Sequence, residues 1–166
     1  MKIFFVKADL IGSKLIRWAT GQCCSHVAIV SDTFETVYHS YGKGMERQTT
    51  KEFYKKYTIM HTISVYLSAK EENELLEHLA IHTENVGYDY TAFLYFAWRV
   101  FLNKIFKIQY PKVNKWENKE KFLCTEALYA FIESYALVTG SVVLIKNAPI
   151  AMLTPHDLYL EIKDSF

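Results

Sequence analysis

Three residues of this chain carry side chains suited to covalent chemistry and stand where local structure would tune them: Cys124, His26 and His39. Cys124 opens an apolar stripe, Cys124, Leu128, Phe131 and Tyr135, whose i, i+4, i+7, i+11 spacing places it at the start of a helix and on its core-facing side. Unpaired amide N–H groups and the positive end of the helix dipole favour a thiolate there and lower the thiol pKa. The same N–H groups can hold an oxyanion. His26 and His39 fall in two β-branched runs, Ser25–Val30 and Thr36–Ser40, joined by the polar turn Ser31-Asp32-Thr33-Phe34. If the turn centres between Asp32 and Thr33, His26 lies directly opposite His39, and one imidazole can orient the other by a hydrogen bond. A thiol, a base and a group that orients the base are the parts of nucleophilic catalysis.

The elements needed to position these residues are legible in outline. Lys2–Val6 reads as a strand, and Lys14–Ala19 as a short helix capped by Ser13 and closed by Gly21. Gly42-Lys43-Gly44 reads as a loop and Thr50–Tyr54 as a helical turn. Thr58–Leu67 alternates with strand period, setting Ile59, His61, Ile63 and Val65 on one side. Ser68 caps a helix with Glu71 and Glu72 in its first turn and a buried face of Leu75, Leu76, Leu79, Ala80 and Thr83. Tyr90–Phe106 reads as a second long helix, Pro111–Lys121 as a polar loop, Cys124–Ala136 as the helix of the thiol broken by Gly140, and Val142–Ile145 as a strand. Thr154-Pro155 opens a last helix. The pattern is α+β within one domain, 1–166, with no repeat and no linker.

Composition narrows the function. The 166 residues carry 19 Lys+Arg against 18 Asp+Glu, so no global basic field gathers nucleic acid. The apolar N-terminal run is interrupted by Lys7 and Asp9, too early for a signal peptide, and Thr91–Phe106 contains Arg99, Asn103 and Lys104, which is short of a bilayer span. A buried amphipathic helix is favoured there over a membrane-surface one. Three cysteines, two of them adjacent, do not make a disulfide framework, and a reducing, cytoplasmic setting is expected.

Other polar constellations are weaker. His78 and His82 stand at metal-binding spacing but lack the intervening protease Glu and read as solvated. Cys23 and Cys24 beside His26 do not form a Cys-x-x-Cys chelate. Glu126 lies off the buried stripe and reads as a solvated first-turn acid, and Lys51, Lys55 and Lys56 as an exposed face. No metal or cofactor is expected.

Several segments resemble one superfamily. Ser-His-Val-Ala-Ile-Val (25–30), preceded by Thr20-Gly21, is similar to the histidine strand of circularly permuted NlpC-type papain-like proteins, which include the lecithin:retinol acyltransferase-like group. Val-Tyr-His-Ser (37–40), followed by Gly42 and Gly44, resembles the strand carrying their third polar residue, and Phe-Leu-Cys-Thr-Glu-Ala-Leu (122–128) their nucleophile helix. Tyr88-Asp89-Tyr90 and Thr154-Pro155-His156-Asp157-Leu158 resemble further recurring features, so the likeness runs from about residue 11 to about residue 160. It implies a permuted papain-like fold, an antiparallel sheet packed on helices. Cys124 would be the nucleophile, His26 its base and His39 the orienting residue, with an acyl-thioester intermediate and the Cys124 N–H in the oxyanion hole. Glu35 and His61 compete for the third position, His39 being preferred because it neighbours His26 in the hairpin. The implied activity is that of a peptidase or amidase on peptides, including cell-wall peptides. An acyltransferase or acyl-ester hydrolase is the alternative, and an inert binding module the second one. The loops Gly42–Thr50 and Phe106–Lys121 would set specificity; the substrate and the oligomeric state are not assigned.

Overall fold

The structure, a computed structural model, describes residues 1–9, 11–42, 44–83, 86–108, 115, 118, 121–146 and 150–166. In chain order the elements are β1 (Lys2–Ala8), α1 (Ile11–Thr20), β2 (His26–Ser31), β3 (Thr36–Tyr41), β4 (Gly44–Thr49), α2 (Thr50–Lys56), β5 (Tyr57–Ser64), α3 (Ala69–Thr83), β6 (Gly87–Tyr88), α4 (Tyr90–Phe106), β7 (Lys121–Phe122), α5 (Cys124–Thr139) and α6 (Pro155–Ile162). Strands β4-β3-β2-β1-β5 form one antiparallel sheet, and β6 and β7 make a small parallel pair. The architecture is therefore α+β, an antiparallel sheet packed against helices. No helix among the described residues is long and apolar enough to cross a membrane.

The sheet has two apolar faces. On one, Ile3, Phe5, Val27, Ile29 and Ile63 pack with Leu75 and Leu79 of α3, Leu128 and Phe131 of α5 and Leu158 of α6. On the other, Phe4, Val6, Ala28, Val30 and Val37 pack with Phe53 of α2 and Tyr57. The assignment of each strand residue to a face follows the two-residue period, with one exception. A β-bulge opposite Phe5 and Val6 pairs Phe5 with His61 and Val6 with Ile59, leaving Met60 as the extra residue. Tyr57 and Ile59 therefore belong to the second face, while His61 and Ile63 are turned to the first.

Helix starts and stops follow local chemistry. Thr154 caps α6 and Thr49 caps α2, each in a reciprocal capping box with Asp157 and Glu52. At α3, Glu71 accepts from the Ser68 amide at 2.8 Å, whereas Glu72 is buried and accepts from the Ser31 and Thr33 hydroxyls at 2.5 and 2.8 Å. Glu72 thus ties α3 to the β2–β3 turn, and Ala80, expected on the buried face, is exposed. Gly140 ends α5 in the left-handed conformation.

Three expectations are corrected. Ser13 lies inside α1, where its Oγ accepts from the Ala8 amide and pairs with Ser25 Oγ instead of capping the helix. Gly44–Thr49 is a strand, not the end of a loop; its polar residues suit an exposed sheet edge and give no apolar alternation to read. Val142–Ile145 forms no strand, since nothing among the described residues pairs with it; Val143 and Ile145 still pack on the core while Val142 and Leu144 face solvent. Most of the polar segment 111–121, with Lys43 of the glycine loop, lies outside the described residues.

Candidate active site

β2 and β3 bring the two histidines together, by a different register from the expected one. Ile29 pairs with Tyr38 and Val30 with Val37, so continuing this register sets His26 opposite Tyr41 and His39 opposite Ala28. The offset from the expected pairing is two residues. A shift of two preserves the face of each side chain, where a shift of one would reverse it. His26 Nε2 consequently lies 2.8 Å from His39 Nδ1, across the diagonal of the ladder.

The pair is enclosed by aromatic rings. His26 stacks on Tyr57 with centroids 5.4 Å apart, and His39 meets Phe53 edge-on at 5.6 Å. Burial lowers both imidazoles. His39 falls to about 4, with the Lys56 charge as the lesser cause. His26 is held well below the ordinary value of 6.5, burial again coming first and His39 second. Both rings are therefore neutral at pH 7.

A residue that the sequence did not single out completes the chain. Gln48 Nε2 lies 2.7 Å from His39 Nε2. The two orientations of this amide set opposite tautomers. With the nitrogen donating, His39 carries its proton on Nδ1 and donates to His26 Nε2, and the His26 proton sits on Nδ1. With the amide oxygen accepting, each proton moves to the other nitrogen of its ring, and His26 Nδ1 holds a lone pair. Gln48 is found only through the β3–β4 register, Val37 opposite Gln48 and His39 opposite Glu46, which no sequence period announces.

Cys124 is the first residue of α5, as expected, and packs with Leu128, Phe131 and Tyr135 on the core. Glu126 is not merely solvated: its carboxylate accepts from the Leu123 amide at 2.6 Å and closes the first turn. The thiol departs from the expected lowered pKa. Burial pushes it up to about 11, against backbone N–H hydrogen bonds from Val27, Thr125 and Cys124 itself that pull it down. The amides of the helix start do act on the sulfur, but desolvation outweighs them.

Cys124 and His26 line one cavity of about 250 Å³, together with Tyr41, Tyr57, Tyr88 and Thr125. They reach it from different layers: His26 stands on the α2 face of the sheet and α5 packs on the other. They meet beyond the last β2–β3 ladder pair, Ile29 with Tyr38. No hydrogen bond joins the Cys124 sulfur to His26, and the bond to His39 leaves His26 Nδ1 as the nitrogen available to the cavity.

The competing third residues are placed elsewhere. Glu35 is exposed in the β2–β3 turn at φ 49°, not on the strand face. The Met60 bulge carries His61 to the face away from His39. There His61 Nε2 lies 3.2 Å from Cys23 Sγ, and His156 Nδ1 lies 3.7 Å from the same sulfur. His78 and His82 are exposed, as are Lys51, Lys55 and Lys56. All three cysteines are free thiols.

A second, apolar groove of about 540 Å³ lies between α1 and α4, lined by Leu15, Trp18, Leu94, Trp98 and Phe101. Ile16 and Phe96 line both this groove and the cavity of Cys124. In comparison with known proteins, the chain matches no family model and no curated sequence.

Proposed function

We propose that the chain is a cysteine-dependent hydrolase of permuted papain-like type that forms an acyl-thioester on Cys124 with His26 as general base. The observation that carries this reading is the shared cavity: a thiol at a helix start and a neutral, hydrogen-bonded imidazole line the same space. The raised thiol and lowered imidazole fit general-base activation of a neutral cysteine, not a preformed thiolate–imidazolium pair. The Cys124 sulfur attacks the carbonyl carbon, its proton passes to His26 Nδ1, and the oxyanion takes the Cys124 N–H. Collapse breaks the bond to the leaving amine or alcohol, which takes the proton from His26. Water, or an acceptor amine, then resolves the thioester. His39 holds His26 in place, and its proton must sit on Nε2 facing an accepting Gln48 oxygen for His26 Nδ1 to act as base.

A peptide or amide substrate, including a cell-wall peptide, is the first class. An acyl ester is the second, and one feature favours it: an apolar groove beside the cavity, sharing Ile16 and Phe96 with its lining, suits an aliphatic chain. The test is turnover of a matched panel of peptides, wall fragments and acyl esters by wild type, Cys124→Ala and His26→Ala. Turnover of one class, lost by about a thousandfold or more in each variant, is the expected result. Absence of turnover across the whole panel, or activity retained by Cys124→Ala, refutes the catalytic reading and leaves the inert binding module.

A further inference from the structure

On the opposite side of the sheet from the two catalytic-site histidines, three ligand-type side chains converge from segments far apart in the chain. Cys23 comes from the loop between α1 and β2, His61 from β5 and His156 from the first turn of α6. Their ligand atoms, one sulfur and two imidazole nitrogens, all lie within 4.8 Å of one another, and each residue is half-buried. The sulfur stands 3.2 Å from His61 Nε2 and 3.7 Å from His156 Nδ1. Bond lengths of about 2.3 Å to sulfur and about 2.0–2.1 Å to nitrogen at a tetrahedral angle require S···N separations of about 3.6 Å. The two observed separations bracket that figure.

The surroundings hold these donors in place. The Met60 bulge is what turns His61 to this side, and its ring stacks on Tyr159 of α6 with centroids 4.1 Å apart and planes within 8°. Gln22, next to Cys23, donates to Asp157 Oδ1 at 2.9 Å, and Asp157, next to His156, also accepts from the Thr154 hydroxyl through its second oxygen at 2.6 Å. The loop bearing Cys23 and the helix bearing His156 are thereby clamped together one residue away from each donor. Such supporting contacts orient ligands before a metal arrives.

We propose that Cys23, His61 and His156 form a binding site for a single divalent transition metal ion, Zn²⁺, with solvent at the fourth position. A mixed thiolate and imidazole set with S···N separations near the tetrahedral value suits zinc, whereas calcium and magnesium take oxygen donors. Binding forms one Zn–S and two Zn–N bonds and releases the Cys23 thiol proton to water. Three half-buried protein ligands leave the fourth of four tetrahedral positions to solvent, the ligand count of an open zinc centre, not of a closed structural one. The ion also joins β5, α6 and the loop before β2, so it stabilises the fold that positions His26.

The test uses the full chain, stripped with chelator and titrated with Zn²⁺, with stoichiometry read by native mass spectrometry and affinity by chelator competition. One Zn²⁺ per chain is expected in wild type and in Cys124→Ser, with affinity weakened by about a hundredfold or more in Cys23→Ser, His61→Gln and His156→Gln. Titration of wild type with Co²⁺ gives a readout independent of any variant: a thiolate-to-metal charge-transfer band with the strong visible bands of tetrahedral cobalt. The proposal is overturned by sub-stoichiometric zinc in wild type, by a cobalt spectrum without thiolate charge transfer, or by wild-type affinity in Cys23→Ser and His156→Gln. None of these readouts depends on turnover, so they stand apart from the fate of the hydrolase reading.

Discussion

Acidification should destabilise this protein through His39, and the size of the effect follows from its burial. His39 is 2% exposed and accepts a proton in the folded chain only near pH 4, against an ordinary value of 6.5. Between those values the unfolded chain binds the proton and the folded chain does not, so stability rises with pH across the window. The contribution is fully present above pH 6.5 and disappears as pH falls towards 4. From pH 7 to pH 5 the loss assigned to His39 is about 2 kcal/mol, at 1.36 kcal/mol per pH unit where the uptake is complete. That is a large share of the 5–15 kcal/mol, roughly, that holds a domain folded. His26, lowered in the same direction, adds to it. Urea melts at pH 7, 6 and 5 on wild type and His39→Gln measure the difference. The variant starts less stable, because the bond to His26 changes, but its stability should fall by about 2 kcal/mol less over this range. Parallel pH profiles for the two proteins would refute the argument that His39 is held neutral by burial.

Two further outcomes are expected from the structure alone. Alkylation of Cys124 by iodoacetamide should be slow at pH 7 and climb about tenfold per pH unit up to about pH 9, because the thiolate fraction grows that way below a pKa of about 11; a plateau at neutral pH would mean a preformed ion pair. Gly44→Ala should destabilise the fold by about 2 kcal/mol or more, since Gly44 has φ 129° and a Cβ there would lie 2.0 Å from the Val86 carbonyl oxygen; an unchanged denaturation midpoint would contradict that packing.

Local chemistry determined much of what is seen. The caps at Thr154 and Gly140, the stripe of Cys124, Leu128 and Phe131, and the common face of His26 and His39 depend on neighbours within a few residues or on parity alone. Parity is why the histidine pair survives a register two residues away from the expected one. The strength of the thiol was not legible, because desolvation at Cys124 depends on the cavity that surrounds it. Nor was β4, whose polar sequence carries no period and whose strand state rests on pairing with β3. Hence Gln48 stayed hidden. The Met60 bulge could not be read either, since alternation continues unbroken through Ile59, His61 and Ile63 while the backbone changes sides. That one inserted residue removes His61 from the histidine pair and delivers it to Cys23, 38 positions away, and to the neighbourhood of His156. The sequence by itself determined the thiol at a helix start and, wherever the strand period runs unbroken, the face each residue occupies; the tertiary structure decided where that period breaks and which residues meet, because partners so distant in the chain are brought together only by the packing of the sheet against α5 and α6.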